Sequence, residues 1–446
     1  MKKIQYLASL LLVMILMVSC NTPSTKVLLT GVYTPRLIDL DEGFTNIQTI
    51  ALDGDNIYVV GSMETDGNVI QTIATIKNGD ENVTYETLPV GSSIVDLAVS
   101  NDKELALSTG FDEVTFQRVN ILYCIESGNV EWEKPVSEII TLPDNYWGNI
   151  YIASSNNKWY VGAGISLATM SYEGELLGTE TLSSDINGLK MGTDGFLHIW
   201  GRNYHKIIDK NGSLIDAEQM KGDEVYFTNG YDYCYTNENG LYGHTLGAES
   251  DTEIMNWTNS GIAFSQGVRS LAVISPETIY IYGSDGIGGK TGLWKYIKSD
   301  DIEFDGAAII NVTYTEDGRN QIPLAAVKFN ASQANYRIVL NELSSSNSDG
   351  ELIGSIDKAI LDGNVGDMVV TQDIDTLRKY GEKGVFTNLY SLMNDDMSSD
   401  DIFGCVRQAC EINGKLYGIP REFRLETYAA KKLDDAKIWN MDAFIT

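Results

Sequence analysis

Three histidines and five cysteines are the groups in this sequence best equipped to hold a metal or act as nucleophiles. His198, His205 and His244 do not stand at ligand spacing with another His or Cys, so no zinc site is expected. Cys20, Cys124, Cys234, Cys405 and Cys410 are too few and too scattered for a disulfide framework or a metal cluster. Cys405 and Cys410, in CVRQAC, fall on different sides of a helical turn, and small buried thiols are the expectation. Gly289-Lys290-Thr291 has the ending of a phosphate loop, but Ser284 stands where the first glycine belongs and no helical pattern follows. Acidic turns such as LDGDN lack the full ligand series of a calcium loop. No Ser/His/Asp order, carboxylate pair or cofactor loop can be singled out. The expectation is therefore a binding protein with no metal and no cofactor, although glycosidase carboxylates need no local motif.

The elements that position such groups must come from more than one domain. A chain of 446 residues exceeds the size at which a single core stops growing, roughly 250 to 300 residues. It carries 32 Lys+Arg against 62 Asp+Glu, a formal net charge of -30. That field repels nucleic acid and anionic lipid, so nucleic-acid partners are excluded and a neutral or cationic ligand is favoured.

The start, MKKIQYLASLLLVMILMVSCN, places two lysines before an apolar run from Ile4 to Val18. The run is shorter than the roughly 20 residues that span a bilayer, and it reads as a signal peptide over 1–19. Its end, Met17-Val18-Ser19-Cys20, resembles a bacterial lipobox with Met where the family prefers Leu. The resemblance implies lipidation at Cys20, a polar tether over 20–29, and a location on the extracytoplasmic face of the cell membrane. An ordinary cleaved signal peptide and an uncleaved anchor are the alternatives.

From 30 to 300 the sequence repeats strand, Gly/Asp/Asn turn and strand. The copies begin at Ile47 (IQTIALDGDNIYVVGSM), Ile94 (IVDLAVSNDKELALSTGF), Tyr151 (YIASSNNKWYVGAG), Ile186 (INGLKMGTDGFLHIWGRN), Tyr226 (YFTNGYDYCYTNENGLYGHTL) and Val268 (VRSLAVISPETIYIYGSD). Spacings of this kind suit four-stranded propeller blades. The stretch resembles an all-β propeller of the broad WD40-like or quinoprotein-like type with about six or seven blades, a sandwich series being the alternative. Ser284 to Trp294 is similar to the Asp-box turn of sialidase-like propellers, with the wrong spacing. Tyr146, Trp147, Trp159, Trp200 and Trp294 could supply sugar-stacking faces, although aromatic residues favour strands in any case.

After KYIKSDDIEF the pattern becomes βαβαβ: AAIINVTYT, QIPLAAVKFNAS, NYRIVLNEL, GELIGSIDKAIL and GDMVVT. DIDTLRKYGEKGVFTNLYSLM reads as a helix closed at Gly381, a turn through Gly384 and a second short helix. INVTY, AAVKFNA with NYRIVL, GDMVV, KGVFTNLYSLM, NGKLYGIPREF, ETYAAKK and IWNMDAFIT, in that order, resemble the sugar-binding branch of the extracellular solute-binding proteins that serve ABC importers. The resemblance covers Ile302 to Thr446. It implies an incomplete α/β periplasmic-binding-protein-like lobe over 301–446, because the second lobe and the return strand of the first have no counterpart here, and hence a C-terminally truncated chain. NGKLYGIP then stands where a strand crosses the ligand cleft.

In open α/β lobes ligands sit beyond the carboxyl ends of the strands. Those positions are Tyr314, Thr315 and Glu316; Thr371, Gln372 and Asp373; and Arg421, Glu422 and Phe423. The functional expectation is a membrane-anchored solute-binding lipoprotein that captures a saccharide for ABC importer membrane subunits, with Tyr314, Glu316, Thr371, Asp373, Arg421 and Phe423 as ligand-binding residues. The alternative is a surface-displayed propeller that binds protein or glycan partners, its C-terminal part being degenerate. A propeller glycosidase or quinoprotein dehydrogenase is the third.

Overall fold

The computed structural model describes residues 27–419 except for short interior stretches, the longest being 344–355 and 394–401. Its described residues contain six four-stranded antiparallel sheets. In chain order they are blade 1 (44–87), blade 2 (93–135), blade 3 (150–181), blade 4 (186–216), blade 5 (225–256) and blade 6 (268–298). Each of the six repeats read in the sequence falls in one blade, so the propeller has six blades and not seven.

The alternation of apolar and polar residues fixes the packing. Strand side chains point alternately to opposite faces, so a blade buries both faces against its two neighbours. The first strands of blades 1 to 4 follow one another, and that of blade 6 returns to blade 1, closing the ring. Between blades 2 and 3, Leu105, Leu122 and Cys124 meet Ile152, Trp159 and Val161. Between blades 6 and 1, Ala272 and Tyr280 meet Ile57 and Val59. Among the described residues, Trp200, Val225 and Tyr233 form the buried cluster at the seam between blades 4 and 5, with Met220, Phe227 and Tyr235 half-buried against it.

Closure uses the start of the chain. Strand Tyr33–Leu37 is the outermost strand of blade 6 and pairs with Thr291–Lys298, Tyr33 standing opposite Lys298. The segment before it threads beside blade 5. Asn256 N–H donates to the Gly31 carbonyl at 2.8 Å, and Tyr33 N–H donates to Ser260 Oγ at 3.0 Å. Gly31 has φ +64, and a Cβ there would sit 2.8 Å from Asn256 N, so only glycine fits without a shift. A two-stranded sheet also joins Val27–Leu29 to Ile302–Phe304.

The described residues past the propeller include a three-stranded sheet in the order Tyr336–Leu343, Ala308–Thr315, Met368–Val370. Helix α1 (Gln321–Ser332) lies between its first two strands in sequence, as the βαβ pattern predicts. Asn330 ties α1 to the sheet by accepting from Ile338 N–H at 2.8 Å and donating to its carbonyl at 2.9 Å.

The chain divides into two compact units, 1–342 with 366–368, and 343–365 with 369–446. In the second, α2 (Ile374–Glu382) runs one residue past Gly381, and Gly384 at φ +72 makes the turn. A Cβ on Gly381 would sit 2.7 Å from the Tyr417 ring, which explains the glycine inside the helix. Asp357 anchors α2, accepting from the Tyr380 hydroxyl at 2.8 Å and the Lys379 ammonium at 2.5 Å. A third helix, α3 (Gly404–Cys410), buries Cys410 and exposes Cys405, so the expectation of buried thiols fails at Cys405. NGKLYGIP contains the turn of a short hairpin, Glu411–Ile412 against Lys415–Leu416. Asn413 and Gly414 both have positive φ there, as a two-residue type I′ turn requires.

Candidate functional site

The hairpin of strands Lys103–Phe111 and Arg118–Glu126 in blade 2 ends in a tip built to display apolar side chains. Asp112 makes the tip. One of its carboxylate oxygens accepts from Val114 N–H at 3.0 Å, Thr115 N–H at 2.6 Å and the Thr115 hydroxyl at 2.9 Å. Phe116 N–H closes the loop on the Asp112 carbonyl at 2.9 Å. The bonds from Thr115 and Val114 hold the Asp112 carboxyl below its ordinary pKa. Phe116 sits at φ +54, a left-handed conformation that costs a bulky residue about 1 kcal/mol or more.

What the tip presents is Val114, 86% exposed, and Phe116, 79% exposed. Beside it, Phe111 and Trp147 are 61% and 64% exposed, with ring centroids 5.9 Å apart. Arg118, paired across the ladder from Phe111, fixes the Trp147 loop: its Nη1 donates to the carbonyls of Trp147 and Gly148 at 3.3 and 3.4 Å. Tyr146 steadies the same loop from blade 3, its hydroxyl accepting from Gly164 N–H at 2.8 Å. Leaving such side chains in water forgoes about 1.5–3 kcal/mol each, and clustered exposed apolar surface of this kind marks interaction sites.

Of the aromatic residues singled out in the sequence, Trp147 alone is exposed. Trp159 and Trp200 are buried between blades, and Trp294 is half-buried, donating to the Gly283 carbonyl at 3.3 Å. Phe111 and Phe116 were not among them. The signal was the tip itself, where FDEVTF puts apolar residues at a hairpin turn that ordinarily carries polar ones.

A second constellation lies along the innermost strands, whose inner backbone edge has no further strand to pair with. Side chains of adjacent blades supply the bonds. Asp96 in blade 2 accepts from Ile152 N–H of blade 3 at 3.4 Å, and Ser154 returns a bond to the Val99 carbonyl at 3.1 Å. Lys190 in blade 4 donates to the Val225 carbonyl of blade 5 at 3.0 Å and stands 4.3 Å above the Tyr226 ring, whose hydroxyl donates to Glu224 at 2.5 Å. Burial pushes the Lys190 ammonium below its ordinary pKa, against the pull of Glu224 and Asp96. It pushes the Asp96 carboxyl from 3.8 up to about 6.

This has a pH consequence. A folded-state value above the unfolded one means that the native protein binds a proton the unfolded chain has lost. Stability should therefore fall as pH rises from about 4 to about 6, by at most about 3 kcal/mol, since the side chain is half-buried rather than fully enclosed. Asp96→Asn should flatten that part of the stability profile, measured as thermal midpoint against pH. An unchanged slope would place the cause elsewhere.

All three histidines lie at the seam between blades 4 and 5. The His198 and His205 rings stack with centroids 5.1 Å apart and join Nδ1 to Nε2 at 2.9 Å, while His244 Nδ1 meets Asp251 at 2.6 Å. Among the described residues, no group of three or more His, Cys, Asp or Glu is placed to hold a metal ion, and no helix is long and apolar enough to cross a membrane.

The ligand-binding residues expected in the C-terminal region do not form a described site. Tyr314 is buried, and its hydroxyl donates to Glu342 at 2.7 Å. Thr371 is half-buried in the second unit, whereas Tyr314 belongs to the first. Glu316, Asp373, Arg421, Phe423 and Cys20 lie outside the described residues.

No protein-family model matches the chain, and no curated protein matches it. Solved structures do resemble it. One is the extracellular domain of a putative one component system, BT4673, from B. thetaiotaomicron, at 14% identity and TM-score 0.34, covering 59% of this chain and 40% of that one. A Bacteroides caccae protein of unknown function matches at 12% identity and TM-score 0.31, covering 52% and 84%. The GH74 enzyme of Niastella koreensis matches at 11% identity and TM-score 0.34, covering 54% and 44%. The chain spans about 40% of the length of the first.

Proposed function

We propose that this chain is an extracytoplasmic, lipid-anchored β-propeller that docks a partner protein through the aromatic rim of blades 2 and 3. The observation that carries the reading is the Asp112 tip: a network of hydrogen bonds and a strained Phe116 backbone serve to hold Val114 and Phe116 in water beside the Phe111–Trp147 pair. Aromatic residues and arginine are the side chains enriched where proteins bind proteins, and Trp and Arg dominate the energetic centres of such surfaces. Arg118 here holds the Trp147 loop in place. The chain as a whole, at a formal net charge of -30, resists indiscriminate sticking to anionic partners.

Capture of a saccharide for an ABC importer, which the resemblance of residues 302–446 implies, draws no comparable support from Tyr314 or Thr371. The lipid anchor rests on the sequence MVSC. Cells fed labelled palmitate should label the chain, and Cys20→Ala should abolish the label and release the protein from the membrane fraction. Label that persists in the variant would remove the anchor from the proposal. Docking is tested by comparing wild type with a Phe116→Ser, Trp147→Ser variant for retention of a co-purifying protein that survives washing at high salt. Equal retention would reject the rim.

A further inference from the structure

Val114 and Phe116 have apolar company on their end of the ring. In a four-stranded meander the hairpin of the second and third strands turns at the end where the fourth strand leaves for the next blade. The tips of these middle hairpins therefore gather at one end of the propeller. Two contacts show it. Arg118, beside the blade 2 tip, reaches the Trp147 and Gly148 carbonyls on the way into blade 3. Leu182 N–H, where the chain leaves blade 3, donates to the carbonyl of Ile165 at that blade's tip at 2.7 Å.

Three successive tips carry exposed apolar side chains. Blade 1 presents Val69, 65% exposed and paired across the ladder from Glu64. Blade 2 presents Val114 and Phe116, with the Phe111–Trp147 pair between it and blade 3. Blade 3 presents Ile165, 44% exposed, in a two-residue turn with Gly164 at φ +54. The next tips are polar: among the described residues, Arg202 and Asn203 make that of blade 4, and Asn237 and Asn239 stand in that of blade 5. At the blade 6 tip, 285–287 lie outside the described residues.

We infer that the arc from Val69 through Phe116 to Ile165 receives an amphipathic α-helix of the partner protein, apolar along one stripe and bearing lysine or arginine on its flanks. This rests on the docking reading of the rim and adds the kind of segment that docks.

The spacing of the blades selects a helix. Packed sheets stand about 10 Å apart, so neighbouring tips are separated by about that distance. Such a step is about seven helical residues at 1.5 Å each, two turns, and residues i and i+7 lie on one face. The same step is about three residues of a strand, whose side chains at i and i+3 point to opposite faces. An extended segment would therefore turn away from every second tip, whereas one helical stripe meets all three. The whole arc, at most about 20 Å, takes about 13 residues of helix or about six of strand.

Charge selects the flanks. Glu64, Asp112 and Glu138 are exposed around the arc. The positive group among them, Arg118, is half-buried and directs its guanidinium to Thr109 and to the two backbone carbonyls. An acidic border speeds the encounter with cationic flanks, and the apolar stripe holds the complex when salt screens them.

Photo-reactive residues placed singly at positions 69, 116 and 165 of the full-length chain in intact cells, with the crosslinked peptides sequenced, test this. All three should capture the same protein. The attachment points from 69 and 165 should lie about 13 residues apart in one segment, with that from 116 between them, and position 203 should capture nothing. Attachment points about six residues apart, points in unrelated segments, capture at 116 without 69 and 165, or the same adduct from 203 would overturn the helix while leaving docking at the rim standing. No adduct at 116 would remove the rim and this inference together.

Discussion

Replacing Tyr33 by alanine should cost the propeller roughly 3–5 kcal/mol, the range for removing a large aromatic side chain from a core. The ring is 2% exposed and packs in the blade 5–blade 6 cluster with Trp257, Ile262 and Tyr296. Its hydroxyl donates to the Pro276 carbonyl, and its backbone belongs to the strand that completes blade 6. Domains have only about 5–15 kcal/mol in total, so a loss of this size should move the denaturation midpoint far towards zero. Tyr33→Phe, which keeps the ring and loses the hydroxyl, should cost about 1 kcal/mol. Gly31→Ala should fall between them, because it adds left-handed strain and a 2.8 Å approach to Asn256 without emptying the core. If Tyr33→Ala unfolded at the wild-type denaturant concentration, closure by the N-terminal strand would not be holding the ring shut.

The second large effect is expected in binding and should have the opposite sign in stability. Phe116→Gly removes an exposed ring and relieves the φ +54 strain, so it should raise stability by up to about 1 kcal/mol. The same change should weaken partner binding roughly thirtyfold, about 2 kcal/mol for one hot-spot side chain. Adding Trp147→Ser should extend the loss to a thousandfold or so, while stability stays within about 0.5 kcal/mol because Trp147 is 64% exposed. Denaturant midpoints and surface-immobilised affinity on the same preparations give both numbers. A variant that loses stability together with affinity would mean that the rim is structural.

The blades were legible because each pairs an alternating apolar stretch with a turn of recognisable chemistry. Asp53-Gly54-Asp55-Asn56 is such a case: Asp53 and Asn56 pair directly across the two-residue turn, with Gly54 at φ +56. The closing strand was not legible as part of blade 6. YTPRL is five residues long, contains Pro35, and finds its partner at Thr291–Lys298, a pairing no local pattern announces. Proline is tolerated there because the strand is an edge.

The histidine pair was missed for a related reason. His198 and His205 are seven residues apart, a spacing that means nothing until the hairpin register places Trp200 opposite His205 and sets the two rings on one face. Blade 5 then brings Phe227 against them, which is long-range information. At NGKLYGIP the local signal was present, since Asn-Gly is the strongest short hairpin turn, and family resemblance had pointed instead to a cleft-crossing strand.

The most direct test of the docking account is a photo-reactive residue placed at position 116 in the full-length chain, with an equivalent residue at position 211, in the exposed turn of blade 4, as control. Irradiation of intact cells should give one discrete crosslinked protein from position 116, none from 211, and a greatly reduced yield when Trp147→Ser is added. No adduct at 116, or the same adduct from both positions, would contradict docking at the rim.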